Sequence, residues 1–276
     1  MPTTSPRILV FIPAYRCEAQ LRRVIAQFDQ RAQQWFDTVM VVDNRSPDRT
    51  LEVAIERGRE QFTHCRFIAW RNDDNYGLGG SHKAALRYAI EQGYDHLVVL
   101  HGDDQASIAD LIPQLERGEH LATDCLMGAR FMAGSELRGY SLVRTVGNVV
   151  YNALFSLAAR RRISDLGSGL NLYRLAPLRQ FYYRAFPDDL TFNYVMLLGS
   201  YHARQRVRFF PISWREDDQV SNVRLFRQGF KVLALLGRYV LGPERFLRRE
   251  MRARPLAAYT GTIVHEQAPA GTRSAP

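Results

Sequence analysis

LVVLHGDDQ (97–105) decides how this chain is read. Four apolar residues, Leu97 to Leu100, stop abruptly at His101, Gly102, Asp103, Asp104 and Gln105. A short apolar run without alternation marks a strand covered on both faces. The same pattern precedes it three times, in RILVFIP (7–13), DTVMVVD (37–43) and RFIAW (66–70). Between these runs apolar residues recur at helical spacing: Leu21, Val24, Ile25 and Phe28, then Leu51, Val53, Ala54 and Ile55. Ser46 or Asp48 can cap the second of these helices, and Ser107 a later one over Ile108, Leu111, Ile112 and Leu115. Strands alternating with helices predict an α/β fold, a mostly parallel sheet with helices on both faces. In such sheets ligands bind beyond the carboxyl ends of the strands. Tyr15, Asp43, Asn44, His101, Asp103 and Gln105 all stand just past strand ends, so they are expected to share one crevice.

The chain has 276 residues, enough for one large α/β domain, and 46% hydrophobic residues, enough for a core. Cys17, Cys65 and Cys125 have no CxxC spacing, which argues against a zinc site and a disulfide framework. MPTTSPRILVFIPAYR does not read as a signal peptide, and no window reaches the roughly 18 apolar residues of a spanning helix. These readings predict a cytoplasmic protein. The net charge of +9 points to polyanionic partners.

Further along, DCLMGARF and RVRFFPISW read as strands, about 142–160 as a helix packed on the core, and about 190–203 as another helix. A last helical segment spans about 222–252 and breaks at Gly242-Pro243. Arg224, Arg227, Lys231 and Arg238 form one stripe of it. More arginines follow at 245, 248, 249, 252 and 254, so this segment either lies on an anionic leaflet or packs on the core with a solvated basic face. The tail from Ala257, rich in Ala, Pro, Thr and Gly, is expected to be disordered. The domain reading is therefore 1–222 as the main domain, 223–256 as a basic amphipathic helical segment, and 257–276 as tail.

Carboxylate, Gln and His at a strand end make a hard-cation site, since Mg²⁺ and Mn²⁺ prefer oxygen ligands completed by water and a diphosphate. Asp103 and Gln105 alternate along an extended segment and can point the same way. NYGLGGSHK (75–83) either lets backbone N–H groups approach a phosphate or makes a tight turn. It has neither the GxxxxGK[ST] nor the GxGxxG spacing.

IPAYRCE (12–18), VVDNRSPDRT (41–50), NYGLGGSHKAAL (75–86), LVVLHGDDQ (97–105), MGARF (127–131) and ISDLGSGLNLYR (163–174) occur in this order. Together they resemble family 2 glycosyltransferases of the GT-A fold, in particular the dolichyl-phosphate mannosyltransferase-like branch, over about residues 7–222. The resemblance implies a Rossmann-like GT-A sheet that holds a nucleotide-sugar donor at Pro13, Tyr15, Glu18, Asp43, Asn44 and Asp103. It implies Mg²⁺ or Mn²⁺ at Asp103 and Gln105, with His101 standing where the family's first Asp usually is. It places Arg130 and Asp165 with Asp103 as catalytic residues, and Arg144, Ser168 and Gly169 toward the acceptor. His101 either ligates Mn²⁺ or hydrogen-bonds a phosphate. Asn171 replaces a family arginine, and Asn222 a family lysine.

The function implied is an inverting transferase moving a sugar from a nucleotide diphosphate to an acceptor, with a polyprenyl-phosphate lipid at the inner membrane face ranked first. A lipid phosphate is already ionised and needs no general base. A saccharide or small-molecule hydroxyl is the alternative acceptor, and would need a proton acceptor, with Asp165 ranked before Asp188 and Asp189. A non-catalytic nucleotide-sugar-binding protein is the reading of another class. Nucleic acid is not an expected partner, because the basic residues cluster away from the crevice.

Overall fold

The computed structural model describes residues 5–180, 182–216 and 225–270. The four apolar runs become strands β1 (Ile8–Ala14), β2 (Thr38–Asp43), β3 (Arg66–Asn72) and β4 (His96–Leu100). They are linked by α1 (Glu18–Ala26), the short α2 (Gln30–Gln33), α3 (Thr50–Gln61) and α4 (Gly77–Glu91). After β4 come α5 (Ile112–Glu116), α6 (Glu119–Ala122), β5 (Cys125–Ala129), β6 (Glu136–Arg138) and α7 (Leu142–Ala159). The chain continues with β7 (Leu170–Arg174), α8 (Phe192–His202), β8 (Val207–Pro211) and β9 (Ser213–Arg215). It closes with α9 (Leu225–Leu241), α10 (Pro243–Leu247) and β10 (Gly261–Gln267).

One eight-stranded sheet has the order β10-β3-β2-β1-β4-β7-β5-β8, and β6 and β9 form a separate pair. β1 to β4 are mutually parallel, which brings the carboxyl ends of β2, β1 and β4 side by side. Alternate residues of β1 feed two cores. Leu9 and Phe11 pack with residues of α4, α8 and α9, while Ile8, Val10 and Ile12 pack with residues of α1, α3 and α5. Burial on both faces is what the unbroken apolar runs require.

The sheet is mostly parallel, as expected, with β7 and β10 antiparallel to their neighbours. Other expectations change. α4 begins inside the glycine-rich stretch, at Gly77. Gly79 N donates to the Asp188 carbonyl at 2.8 Å, and the carbonyl oxygens of Asp188 and Pro187 lie where Cβ atoms at Gly77 and Gly79 would be. Gly77 also has φ +70°, which favours glycine. This stretch is a close backbone packing contact, and the N–H groups of Gly77, Gly79 and Gly80 already have acceptors within the protein.

The tail is not disordered where it is described. Residues 261–267 pair with β3 and cover an edge that would otherwise expose unpaired backbone groups. Tyr259 fixes the approach, donating to Asp188 Oδ1 at 2.6 Å and meeting the Tyr76 ring edge-on. Polar, small-residue composition hid this role; residues 271–276 lie outside the described set.

α7 is not a core helix. Of its 18 residues only Asn152 and Phe155 are buried. At about 100° per residue, Leu142, Val143, Val146, Val149, Val150, Leu154 and Leu157 fall within an arc of about 140°. That arc faces away from the protein, with Leu142 and Val143 each 82% exposed. α7 is also long and apolar enough to cross a membrane by length and composition, a window the sequence reading passed over. Its one charged residue, Arg144, lies on the opposite, protein-facing side. α9 behaves differently: Val232, Leu235, Leu236 and Tyr239 join the core, and Lys231 pairs with Asp189. Arg224 lies outside the described residues.

Candidate active site

The ends of β2, β1 and β4 make the crevice floor. Gly102 N donates to the Pro13 carbonyl at 3.1 Å, and that oxygen would lie 2.9 Å from a Cβ at 102. Glycine there lets LVVLHGDDQ turn tightly across the end of β1. The turn then separates the two aspartates. Asp104 has φ +60° and points inward. Its carboxylate is buried among Arg23 Nε at 2.5 Å, Gln27 Nε2 at 3.0 Å and the guanidinium of Arg215. Asp103 stays at the crevice, with its carboxylate 3.9 Å from His101 Nδ1.

Burial pushes the Asp103 carboxyl up to about 6, with Asp104 adding to the effect. Burial likewise pushes His101 down to about 4, helped by the charge of Arg130. Near neutral pH the imidazole is therefore neutral and the carboxyl mostly ionised, the states a metal requires. For metal–ligand bonds of about 2.1 Å, two ligands of one ion cannot be more than about 4.2 Å apart, so the 3.9 Å spacing is compatible with a shared ion. Nδ1 of His101 is the ring nitrogen that faces Asp103, and Nε2, on the other side of the ring, is buried without a hydrogen-bond partner. An imidazole in the set suits Mn²⁺ better than Mg²⁺. Among the described residues no three His, Cys, Asp or Glu side chains are placed to hold a metal alone. The residues therefore fit an ion that takes its remaining ligands from water and a diphosphate.

Asp43 is fully buried at the end of β2. Its Oδ1 accepts from Ser46 N at 3.0 Å, while Oδ2 has no hydrogen-bond partner and lies 3.4 Å from Arg71 Nε. Buried unsatisfied polar atoms are rare in folded proteins and call for an explanation. Four of the nine such atoms found among the described residues belong to Asp43, Arg71, His101 and Trp214, all around this crevice. Arg71 was missed in the sequence, although it stands at the carboxyl end of β3, where the strand-end rule would have found it.

Asn44 is engaged within the protein. Its amide donates to Asn75 Oδ1 at 2.8 Å, and its carbonyl accepts from Asn72 Nδ2 and Tyr76 N. It staples the loop before α4 to the end of β2. Tyr15 is exposed, with the Arg16 guanidinium over its ring at 5.4 Å. Glu18 opens α1 and lines an open cleft of about 610 Å³ with Arg16, Arg22 and Asp48, a cleft whose lining includes neither Asp43 nor Asp103.

On the far side, Arg130 and Asp165 form a buried bidentate pair. Asp165 accepts from Arg130 Nε at 2.7 Å, Nη2 at 2.8 Å and backbone N at 2.9 Å, and from Gly167 N at 3.0 Å. Both oxygens are engaged, so Asp165 is a lock for Arg130 and not a ready proton acceptor. Asp188 and Asp189 are also committed, to Lys83 with Tyr259 and to Lys231 with Thr191. Ser168 bonds within its own turn, to Leu170 O and Asn171 Oδ1. Gly169 is required by packing: its carbonyl accepts from His101 N at 2.9 Å, and a Cβ there would press on the His101 ring at 3.1 Å. Asn171 is buried and donates to Ser168 O. Asn222 lies outside the described residues.

Two guanidiniums share one aromatic ring. Arg144 lies 4.6 Å from the Tyr140 centroid and Arg130 5.8 Å from it, and Arg130 also stacks on Trp214 at 4.7 Å. Arg144 Nη1 pairs with Glu216 Oε2 at 2.5 Å, and Gln105 Nε2 reaches Glu216 Oε1 at 3.4 Å. Tyr140 and Trp214 carry no sequence signal that would have marked them; segments distant in the chain bring them together with Glu216.

The model of the family described as "Glycosyl transferase family 2" matches residues 9–182. The UDP-N-acetylglucosamine–dolichyl-phosphate N-acetylglucosaminyltransferase of Methanococcus voltae is 24% identical over 181 residues, 62% of this chain and 71% of that protein. The undecaprenyl-phosphate mannosyltransferase of Micrococcus luteus is 26% identical over 173 residues, 63% and 68% of the two chains. Among solved structures, glucosyl-3-phosphoglycerate synthase from Mycobacterium tuberculosis with uridine-diphosphate aligns with TM-score 0.57 at 15% identity, over 96% of this chain and 91% of that one. TarS 1–349 of S. aureus aligns with TM-score 0.55 at 16% identity, over 86% and 66%. These structures share the mixed α/β architecture described above.

Proposed function

From the premise that this chain belongs to glycosyl transferase family 2 and is a glycosyltransferase of GT-A fold, we propose that it moves a sugar from a nucleoside diphosphate to a polyprenyl phosphate at the inner membrane face, with inversion at the anomeric carbon. The observation that carries the acceptor reading is α7: its apolar stripe faces outward while its opposite side delivers Arg144 to the crevice. A lipid carrying a phosphate needs both features at one place, an apolar seat for the chain and a cation for the head. The names of the two curated relatives, a dolichyl-phosphate and an undecaprenyl-phosphate transferase, support it.

Asp43 and Arg71, an ion pair at the ends of β2 and β3, would stand beside the nucleoside end. His101, Asp103 and Gln105 would hold Mn²⁺, which neutralises charge on the leaving diphosphate when bound. Arg130, fixed by Asp165 and by stacking on Trp214, adds a positive charge that does not need to reorganise during reaction. Arg144 would steer the acceptor phosphate oxygen toward the anomeric carbon, opposite the diphosphate. The phosphate arrives ionised, so no residue has to accept a proton. The commitment of Asp165, Asp188 and Asp189 to ion pairs agrees with this and weighs against a hydroxyl acceptor.

The test is a panel of labelled UDP-, GDP-, CDP- and dTDP-sugars with polyprenyl phosphate in vesicles and Mn²⁺. Label moving into the organic phase, in a product of inverted configuration, supports the proposal. Transfer only to water-soluble hydroxyl acceptors overturns it.

A further inference from the structure

Glu216 closes β9 beside the crevice. Its N–H donates to the Arg138 carbonyl at 3.0 Å, and its own carbonyl lies where a Cβ at Gly139 would be. The backbone is thus pinned on both sides. The side chain is 16% exposed, and its carboxylate joins Arg144 at 2.5 Å to Gln105 at 3.4 Å. Arg144, the cation read above as the partner of the acceptor phosphate, already carries an anion. Its guanidinium is also held against Tyr140, so it has little freedom to bind a second anion elsewhere.

Resting on the lipid-phosphate reading, we propose that Glu216 is a specificity-determining residue that occupies the anion's place on Arg144 and yields only to a phosphate monoester. Exchanging one single negative charge for another gains nothing electrostatically and loses the Gln105 contact. A phosphodiester is such an anion. A monoester carries between about 1.5 and 2 negative charges at neutral pH and three acceptor oxygens, so it can displace the carboxylate. The distinction matters because of where Arg144 sits. It lies in the first turn of the helix whose apolar stripe faces outward, where phosphodiester headgroups would vastly outnumber any monoester acceptor. The carboxylate keeps those headgroups off the arginine, and its release also frees the Gln105 amide on the metal side.

The experiment uses the full chain as wild type, Glu216→Gln and Glu216→Asp. One arm measures the KM for polyprenyl phosphate in phosphatidylcholine vesicles and the inhibition by added phosphatidylglycerol. The other measures binding of inorganic phosphate and of dimethyl phosphate by titration, without turnover. In Glu216→Gln the KM is expected to fall at least fivefold and phosphatidylglycerol inhibition to strengthen at least fivefold, while Glu216→Asp keeps the wild-type ratio. In the binding arm, wild type is expected to favour inorganic phosphate over dimethyl phosphate, and the Gln variant to lose that preference. KM, inhibition and preference all within twofold of wild type would overturn the proposal, as would a KM that rises with inhibition unchanged, the mark of a residue that merely holds Arg144 in place. If wild type uses no lipid phosphate, the functional reading falls, and the binding arm alone decides the filter. Thermal midpoints show whether each variant folds, and Glu216→Ala replaces the Gln variant if it does not.

Discussion

Replacing Val143, Val146 and Leu157 together by serine changes the outward stripe of α7 and little else. These side chains are 82%, 63% and 78% exposed, so each has roughly three-quarters of its surface still to bury. Full burial of such a side chain is worth at least about 1.5 kcal/mol, which makes the three together worth about 3.4 kcal/mol. Seating at half depth in the headgroup region halves this to about 1.7 kcal/mol, close to a twentyfold change in partition. The folded state hardly notices, because exposed substitutions usually stay within about 0.5 kcal/mol each. Sedimentation with phosphatidylglycerol-containing vesicles measures the partition, and thermal unfolding measures the stability. The expected result is a loss of vesicle binding near twentyfold with the midpoint moved by a few degrees at most. Unchanged vesicle binding would refute the membrane role of α7. A large fall in midpoint would refute the outward orientation itself, since it would mean that the stripe packs on protein.

Asp165→Asn should cost about 3–5 kcal/mol, because it leaves the buried Arg130 guanidinium without its counter-charge; urea unfolding reads this directly, and a cost below 1 kcal/mol would remove the lock. Asp103 has a raised native pKa of about 6, so the folded state keeps a proton that the unfolded chain loses from about pH 4 upward. Its contribution to apo-protein stability is therefore lost as pH rises from about 4 to about 6. Asp103→Asn should accordingly stabilise the apo protein at pH 7 by the order of 1 kcal/mol, discounted because the carboxyl is partly exposed, while denaturant midpoints of the two proteins converge toward pH 4. Truncation after Leu256 removes β10 and Tyr259 and bares the β3 edge. It should lower the thermal midpoint by several degrees and promote aggregation on heating, read by light scattering; an unaltered midpoint would make the tail dispensable.

The sequence carried the crevice because strand ends are local signals: an apolar run that stops in His101, Asp103 and Gln105 needs no partner to be seen. Alternation with Gln105 singled out Asp103, but what holds Asp104 away from the crevice was not local. Asp104 turns inward because Arg23 and Arg215, 81 and 111 residues away, wait for it. The period of α7 was legible, but its direction was not, since an apolar stripe has the same period whether it meets a core or a lipid. β7 escaped notice because LNLYR is short and sits inside ISDLGSGLNLYR, a stretch read as a motif and not for its secondary structure. The tail was misjudged from composition, which does not register that an open strand edge is waiting for a partner. Asp165 has the right chemistry for a base and the wrong neighbours, and only the contact with Arg130 reveals that.

If the ends of β2, β1 and β4 hold a metal–nucleoside diphosphate through Asp103, nucleotide binding depends on both the metal and that carboxylate. Calorimetric titration of wild type and Asp103→Ala with UDP, GDP, CDP and dTDP, each with and without Mn²⁺, tests it most directly. One nucleotide is expected to bind the wild type at least tenfold more tightly with Mn²⁺, and Asp103→Ala to lose this dependence while its fold is retained. Binding indifferent to Mn²⁺ and to Asp103, or no binding of any of the four, would contradict it.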